Sequence, residues 1–138
     1  MKDHIKIKMR LLFFTISLLL LVANADAQYL YNDSGRLVGK VQGDYFYDSS
    51  GKVLGRTYND YIYNETGRVI GKKYRDYLYD GSGRVIGRVD GDYFYDESGR
   101  VKGRLDGNYL YDSSGRLLAR AVDLTKLQII IFFYYFLK

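Results

Sequence analysis

Tyrosines at regular spacing are the side chains of this sequence best suited to binding chemistry. Pairs of the form Tyr-x-Tyr recur every sixteen residues, beginning at Tyr29, Tyr45, Tyr61, Tyr77, Tyr93 and Tyr109. Exposed aromatic rings beside cations can stack on sugar rings or on other flat ligands. The cations expected beside them are the basic residues that follow a turn glycine, Lys52, Arg68, Arg84 and Arg100. The candidate ligand-binding residues are therefore Tyr45, Tyr47, Tyr61, Tyr63, Tyr77, Tyr79, Tyr93 and Tyr95.

Cross-strand packing is the alternative role for these tyrosines. Aromatic pairs flanked by the aliphatic stems of Arg or Lys stabilise a sheet without any ligand. A solvent-exposed row of tyrosines would favour binding, and a buried row would favour a scaffold.

Catalytic and metal-binding residues are scarce in this chain. It has no cysteine, and its one histidine, His4, lies in the predicted leader. The commonest general base and the usual transition-metal ligands are therefore missing from the rest. Carboxylate pairs such as Asp44 with Asp48, or Asp90 with Asp92, recur with the repeat, whereas a glycosidase needs one asymmetric pair. We expect no enzyme activity, no cofactor and no metal site.

A leader for export is predicted over residues 1–27. A basic start between Lys2 and Arg10 precedes the apolar run 11–22, and the small residues of ANADA allow cleavage before Gln28. A membrane anchor is the alternative, but this run is well short of the roughly 20 residues that a spanning helix needs. The net charge of +5, which falls to +3 without the leader's four basic and two acidic residues, is too mild to indicate nucleic-acid binding. We expect an exported protein in the periplasm, at the cell surface or secreted.

Six copies of a sixteen-residue unit, here repeats 1 to 6, fill a predicted β-hairpin repeat domain at 28–124. The pattern is Y-Φ-Y-[DN]-x-[ST]-G-[RK]-[VL]-Φ-G-[KR]-x-x-x-[DN], where Φ is mostly apolar. It predicts two short strands separated by a turn in which the glycine is left-handed. These turn glycines are Gly35, Gly51, Gly67, Gly83, Gly99 and Gly115. The tight links between repeats are Gln42-Gly43, Tyr58-Asn59, Tyr74-Arg75, Asp90-Gly91 and Asp106-Gly107, of which Asp-Gly favours a two-residue loop.

Loop parity predicts which residues share a face of the sheet. If the link is a two-residue loop, the turn must also span an even number of residues, which places Tyr47 opposite Lys52. The tyrosines then share a face with the basic positions and the second Φ. The other face carries the first Φ and the [VL] position, namely Leu30, Phe46, Ile62, Leu78, Phe94 and Leu110 beside Leu37, Val53, Val69, Val85, Val101 and Leu117.

A second glycine recurs on that same predicted face, within the second strand of each repeat. Glycine weakens a strand, so its recurrence indicates that something approaches the backbone closely, as at the crowded axis of a ring. The positions are Gly39, Gly55, Gly71, Gly87 and Gly103, and the sixth repeat has Ala119 instead.

A closed or nearly closed all-β array is the predicted fold class. A single hairpin is marginally stable in water, and an open row would leave edges that invite aggregation. Five links join six Tyr-x-Tyr strands, so five hairpins can form across the links. The first strand, 29–31, and the last, 116–120, would then pair and close the ring.

The C-terminal tail, 125–138, stands apart because it ends in the apolar, aromatic run QIIIFFYYFLK. One interpretation is a strand buried on both faces that plugs or caps the ring. A second is docking to a membrane or a partner, since an exposed run of this kind is an aggregation hazard. A third is a frameshifted end.

Two families share the motif seen in YFYDSSGKV (45–53) and YLYDSSGRL (109–117). It resembles, distantly, the YD repeat of Rhs-type proteins, whose large shells enclose toxins; this chain is too small to enclose anything. More closely, the leader, the D-x-x-G-R-x-[IV]-G repeats and the aromatic tail resemble the small exported bacterial "5-fold β-flower" proteins. That resemblance implies a ring of β-hairpins with approximately five-fold symmetry, with six-fold as the alternative, and carries no biochemical activity.

Three functions follow from this sequence, in decreasing order of preference. The first is an exported, non-enzymatic structural or interaction module of the bacterial cell envelope, acting as a monomer. The second is a module that binds a glycan or an envelope polymer through its tyrosine rows. The third is a hydrolase that uses turn carboxylates.

Overall fold

The computed structural model describes residues 28–137, so the predicted leader, 1–27, lies outside the described residues. Within this range there are twelve strands, a short helix α1 and a π-helical segment. The strands are β1 (Tyr29–Asn32), β2 (Leu37–Gln42), β3 (Tyr45–Asp48), β4 (Val53–Tyr58), β5 (Tyr61–Asn64), β6 (Val69–Tyr74), β7 (Tyr77–Asp80), β8 (Val85–Asp90), β9 (Tyr93–Asp96), β10 (Val101–Asp106), β11 (Tyr109–Asp112) and β12 (Leu117–Val122). Helix α1 spans Lys126–Ile131, and the π-helical segment spans Phe132–Phe136.

The twelve described strands form one closed antiparallel barrel, in which each strand pairs with its neighbours in the chain. Strand β1 pairs with β12, with Tyr29 opposite Val122 and Tyr31 opposite Arg120. The predicted all-β class and the predicted closure between the chain ends are therefore confirmed. Five hairpins cross the links, and the sixth pair joins the two ends of the array. All links lie at one end of the barrel and all turns at the other.

The turns use the predicted side-chain chemistry, as repeat 2 illustrates. The carboxylate Oδ1 of Asp48 accepts hydrogen bonds from the backbone N–H of Ser50 (2.9 Å) and of Lys52 (3.0 Å). The backbone N–H of Gly51 donates to the carbonyl of Asp48 (3.1 Å), and Gly51 has φ +85°. In the turn, backbone N–H groups thus donate to an Asp or Asn side-chain oxygen and not to a neighbouring strand. The strand therefore ends at this Asp or Asn.

A β-bulge next to each turn overturns part of the predicted face assignment. Tyr47 lies opposite Val53, not Lys52, because the register shifts by one residue between Phe46 and Tyr47. The backbone carbonyl of Lys52 instead accepts a hydrogen bond from Asp48 N–H (2.9 Å). A bulge adds one residue to one strand and breaks the parity on which the prediction depended.

The bulge turns the [VL] position away from the core, so its predicted place on the inner face was wrong. These side chains are exposed or half-buried: Leu37, Val53, Val69, Val85, Val101 and Leu117. The second Φ packs against the core instead, as Val38, Leu54, Ile70 and Ile86 do. The prediction is confirmed for the first Φ, whose six residues are all buried: Leu30, Phe46, Ile62, Leu78, Phe94 and Leu110.

The two-residue links begin one position later than predicted. Asp90 belongs to strand β8 and lies opposite Tyr93, so the loop residues are Gly91 and Asp92. The first loop residue needs a positive φ, which is +59° at Gly43 and Gly91. Glycine adopts this conformation without steric cost, which is why Gly precedes Asp at these links.

The tail forms a helical plug, so the predicted strand was wrong, whereas the predicted plugging is confirmed. Thr125 caps α1: its side-chain oxygen accepts from Gln128 N–H (3.1 Å), and its own N–H donates to Gln128 Oε1 (2.9 Å). Residues Ile129 to Phe133 are buried in one cluster with the first-Φ residues. We call residues 126–136 the plug. None of the helices within 28–137 is long and apolar enough to cross a membrane.

Candidate functional site

The tyrosines lie on the outside of the barrel in a belt that alternates with cations. The residue directly after each second glycine, or after Ala119 in repeat 6, is a Lys or Arg. It lies opposite one tyrosine on each of the two neighbouring strands. Arg56, for example, is paired with Tyr45 on one side and with Tyr63 on the other. We call the tyrosines of the six Tyr-x-Tyr strands, together with these cations, the outer belt. The cations are Lys40, Arg56, Lys72, Arg88, Arg104 and Arg120.

Each of these six cations contacts a tyrosine ring of the belt. The guanidinium carbon of Arg88 is 4.6 Å from the ring centre of Tyr95, and that of Arg56 is 4.8 Å from Tyr63. The ammonium of Lys40 is 5.1 Å from the ring centre of Tyr47. Contacts of this kind are worth about 0.5–1 kcal/mol at exposed sites. In five of the six Tyr-x-Tyr strands they place a cation over the half-buried second tyrosine, whereas Lys72 lies over the first tyrosine, Tyr61.

The cations predicted to flank the tyrosines, Lys52, Arg68, Arg84 and Arg100, were the wrong ones. They lie in the turns, where their backbone carbonyls accept hydrogen bonds from the Asp or Asn that opens the turn. The stacked cations follow the second glycine instead, and the recurring Gly-[KR] pair at that position is the signal that could have identified them. The bulge explains why the turn cations are excluded, because it places Tyr47 opposite Val53 and not opposite Lys52.

The eight candidate tyrosines all lie in this one belt, which the structure therefore brings together. The first tyrosine of a pair is exposed, at 43% for Tyr45 and 45% for Tyr93, and the second is half-buried. Within one strand the rings of Tyr45 and Tyr47 are tilted neighbours, with centres 6.5 Å apart. The surface thus presents aromatic edges and faces with cations between them, repeated around the whole barrel.

The second glycines face the five aromatic residues of the plug, which we call the inner ring. A Cβ added at Gly39 would lie 2.7 Å from the ring of Phe132, and one at Gly55 would lie 2.7 Å from that of Phe136. Such distances leave no room for a side chain. The predicted close approach at the axis is confirmed. The contacts pair Phe132 with Gly39, Phe133 with Gly103, Tyr134 with Gly87, Tyr135 with Gly71 and Phe136 with Gly55.

The π-helical geometry explains how five consecutive side chains reach five different repeats. An α-helix has 3.6 residues per turn, so its fifth side chain would return close to the direction of the first. The wider i→i+5 helix, closed here by Leu137 N–H to the carbonyl of Phe132 (2.7 Å), distributes five residues around about one turn. The match of ring to glycine in five repeats is difficult to reconcile with a frameshifted tail.

Two inner-ring tyrosines also bond the barrel backbone. The Tyr134 hydroxyl donates to the carbonyl of Tyr95 (2.6 Å), and the Tyr135 hydroxyl to that of Tyr79 (2.6 Å). Burial raises the pKa of Tyr135 to about 12 and also raises the pKa of Tyr134. Both hydroxyls are therefore neutral donors at physiological pH, and they satisfy carbonyl groups at the bulges.

Several of the turn and link carboxylates are engaged locally. Asp90 is 3.7 Å from Arg88, and Asp92 is 3.7 Å from Lys126 of the plug. Hydrogen bonds from a turn serine and from the backbone lower the pKa of Asp48, and the same bonds lower the pKa of Asp80 and Asp112. Asp44 and Asp48 lie at opposite ends of β3.

Comparison with known proteins agrees with this architecture. Residues 27–137 match the family model described as 5-fold beta-flower protein, and that match runs through the repeats and the plug. No match was found among curated proteins or among solved structures. Since the match covers most of the chain, this protein belongs to the 5-fold beta-flower family.

Proposed function

We propose that this protein is an exported, non-enzymatic interaction module of the bacterial cell envelope, and that the outer belt is its binding surface. The observation that carries the proposal is the exposure of the first tyrosine, beside a cation, in five of the six pairs around the barrel; only Tyr29 is half-buried. Aromatic faces stack on the apolar faces of sugar rings, and neighbouring Arg or Lys side chains can donate to hydroxyl or anionic groups.

Repetition favours a polymeric ligand over a small one. Six similar sites around one barrel can each make a weak contact with successive units of a chain. Linked weak contacts raise overall affinity without any strong single site. A glycan or another repetitive envelope polymer is therefore the ligand class that we propose. The predicted leader supports an extracytoplasmic location, where such polymers occur.

A binding screen against glycans and envelope polymers tests the proposal, using residues 28–138, which contain the whole described barrel. The test variant is Tyr45→Ala with Tyr61→Ala, which removes two exposed rings from adjacent repeats. The control is Glu65→Ala with Glu97→Ala, at exposed turn positions outside the belt. We expect the tyrosine variant to bind about tenfold more weakly at a similar melting temperature, and the control to bind like the wild type.

Two results would contradict the proposal. Unchanged polymer binding by the tyrosine variant would exclude the belt as the surface. Absence of any polymer binding, together with a large drop in melting temperature for that variant, would assign the tyrosines to the scaffold alone. Chain-length analysis of bound polymer after incubation tests the non-enzymatic part, since shortened chains would indicate a hydrolase.

A further inference from the structure

Repeats 2 and 3 differ from the other four on the inner face of the barrel near the links. The residue two positions after the second glycine is buried and apolar in the other repeats: Val41, Val89, Leu105 and Ala121. Repeats 2 and 3 have Thr57 and Lys73 at this position, and both are half-buried. A lysine facing the core of a barrel is costly, because burial disfavours its charge. Two adjacent repeats therefore give up apolar packing on the same side of the molecule.

The links that follow these two repeats depart from the pattern as well. If each link is numbered after the repeat that precedes it, the first loop residue of links 1, 4 and 5 is a glycine, namely Gly43, Gly91 and Gly107. In links 2 and 3 the same position is Asn59 and Arg75. Asn59 has φ +49°, Asp60 has φ +68° and Arg75 has φ +52°. For Arg75 this region costs roughly 1–2 kcal/mol, whereas Asn and Asp adopt it more readily because their short polar side chains can hydrogen-bond locally. Strain of this kind tends to persist at functional sites.

A cavity of about 300 Å³ lies where these departures meet the plug. Its buried wall consists of Ile62 from the barrel and Ile131 from α1. Tyr58 and Leu127 border it, and they are 56% and 51% exposed. The cavity is therefore a recess with an apolar buried wall and an open mouth, at the small end of the size range for ligand pockets.

Charges of both signs line this cavity without pairing with each other. Lys73 and Arg75 contribute cations, and Asp44 and Asp60 contribute carboxylates. Within residues 28–137, none of the four has an opposite charge within 4.0 Å, whereas Asp92 of link 4 is 3.7 Å from Lys126. The Lys73 ammonium donates to the backbone carbonyl of Arg75 (2.7 Å), which leaves two of its three donors for another group.

We propose that this cavity binds a small zwitterion, namely an amino acid or a dipeptide with an apolar side chain. The ligand carboxylate would face Lys73 and Arg75, and its ammonium group would face Asp44 and Asp60. The apolar side chain would cover Ile62 and Ile131 in the recess. A ligand with both charges matches all four side chains, whereas a simple anion would leave the two carboxylates facing it. One belt residue, Tyr61, also lines this cavity, but its four charged residues lie outside the outer belt, so the proposed binding does not rest on the belt's function.

Titration of ¹⁵N-labelled residues 28–138 with leucyl-leucine tests this site by NMR. The ligand variants are the N-acetylated and the C-amidated dipeptide, each of which lacks one charge. We expect millimolar leucyl-leucine to shift the amide signals of Thr57, Ile62 and Ile131. Either modification should weaken binding about tenfold, since it removes one set of charge contacts.

The matched protein variant is Lys73→Val with Arg75→Gly, which gives repeat 3 the residues of repeat 4, Val89 and Gly91. This variant should fold at least as well as the wild type, because it removes a core-facing charge and a strained residue. We expect it to bind at least tenfold more weakly, while the control, Arg84→Gln with Arg100→Gln, which removes two positive charges at exposed turns, binds normally. Absence of shifts, equal binding of the acetylated or amidated dipeptide, or unchanged binding by the repeat-3 variant would overturn the proposal.

Discussion

The inner ring and the outer belt are both aromatic, but they are built in opposite ways. The inner ring comes from five consecutive residues of one segment, and each ring meets one glycine of a different repeat. The outer belt comes from the repeats themselves, so each Tyr-x-Tyr strand supplies the same pair and no ring has a unique partner. The inner contacts are therefore individually necessary, whereas the outer contacts are redundant. This difference leaves the outer surface free to bind without endangering the fold.

The sixth repeat shows how an asymmetric plug fits a repetitive barrel. Five aromatic residues serve five glycines, and the remaining repeat has Ala119, which is fully buried. Ala119 therefore has no counterpart among the five glycine–ring pairs. At the second-glycine positions, the symmetry of the barrel is thus broken by a single methyl group.

Truncation of an inner ring should have the largest effect on stability. Phe132 is 1% exposed, and Phe132→Ala is expected to cost about 3–5 kcal/mol, through lost burial and the cavity left behind. The outer counterpart, Tyr45→Ala, should cost less than about 1 kcal/mol, since its ring is 43% exposed. Urea unfolding of both variants measures the difference. Equal losses would show that the belt is as necessary to the fold as the plug.

Filling one glycine position should have the next largest effect. A Cβ at Gly103 would lie 2.8 Å from the ring of Phe133 and 2.9 Å from the carbonyl of Tyr111, so Gly103→Ala is expected to cost about 1–3 kcal/mol. In a Phe133→Ala background the cost should fall, but not to zero, because the carbonyl remains. Unfolding of the two single variants and the double variant gives the coupling energy. Simple additivity would mean that the ring does not explain the glycine.

Loss of one inner-ring hydroxyl should have a smaller effect. Tyr135→Phe removes the hydrogen bond to the Tyr79 carbonyl and is expected to cost about 1 kcal/mol. The control Tyr77→Phe, on the exposed belt, should leave stability unchanged. Because burial raises the folded-state pKa of Tyr135 to about 12, the stability it contributes is complete below pH 10. It is lost as the pH rises from about 10 towards 12, and Tyr135→Phe should reduce that loss in alkaline melts.

The repeat, the closure between chain ends and the close approach at the second glycine could be predicted from sequence, because turn chemistry and spacing determine them. The bulge could not be predicted, since the same turn residues are compatible with a loop of even length and with a loop that ends in a bulge. Without the bulge, the sequence predicts the wrong face for the [VL] residues and the wrong cations beside the tyrosines, Lys52 in place of residues such as Arg56.

The helical plug was also missed, because a short apolar run has no periodicity that separates a buried strand from a helix. Thr125 followed by Gln128 before that run is a capping-box signal that predicts a helix start. The π-helical geometry depends on the barrel around it. No local pattern indicates it.

The smallest effect should come from the turns, and it depends on pH. The turn hydrogen bonds lower the folded-state pKa of Asp48, Asp80 and Asp112, so the stability these groups contribute is complete above their ordinary pKa near 4. It is lost as the pH falls below that value. Repeats 1 and 3 have Asn32 and Asn64 at the same position, and their side-chain oxygens accept the same backbone bonds. Replacing the three Asp residues by Asn should therefore preserve the melting temperature at pH 7 and reduce its drop at pH 3. An unchanged drop would assign acid sensitivity to other carboxylates and leave the turns without a role in it.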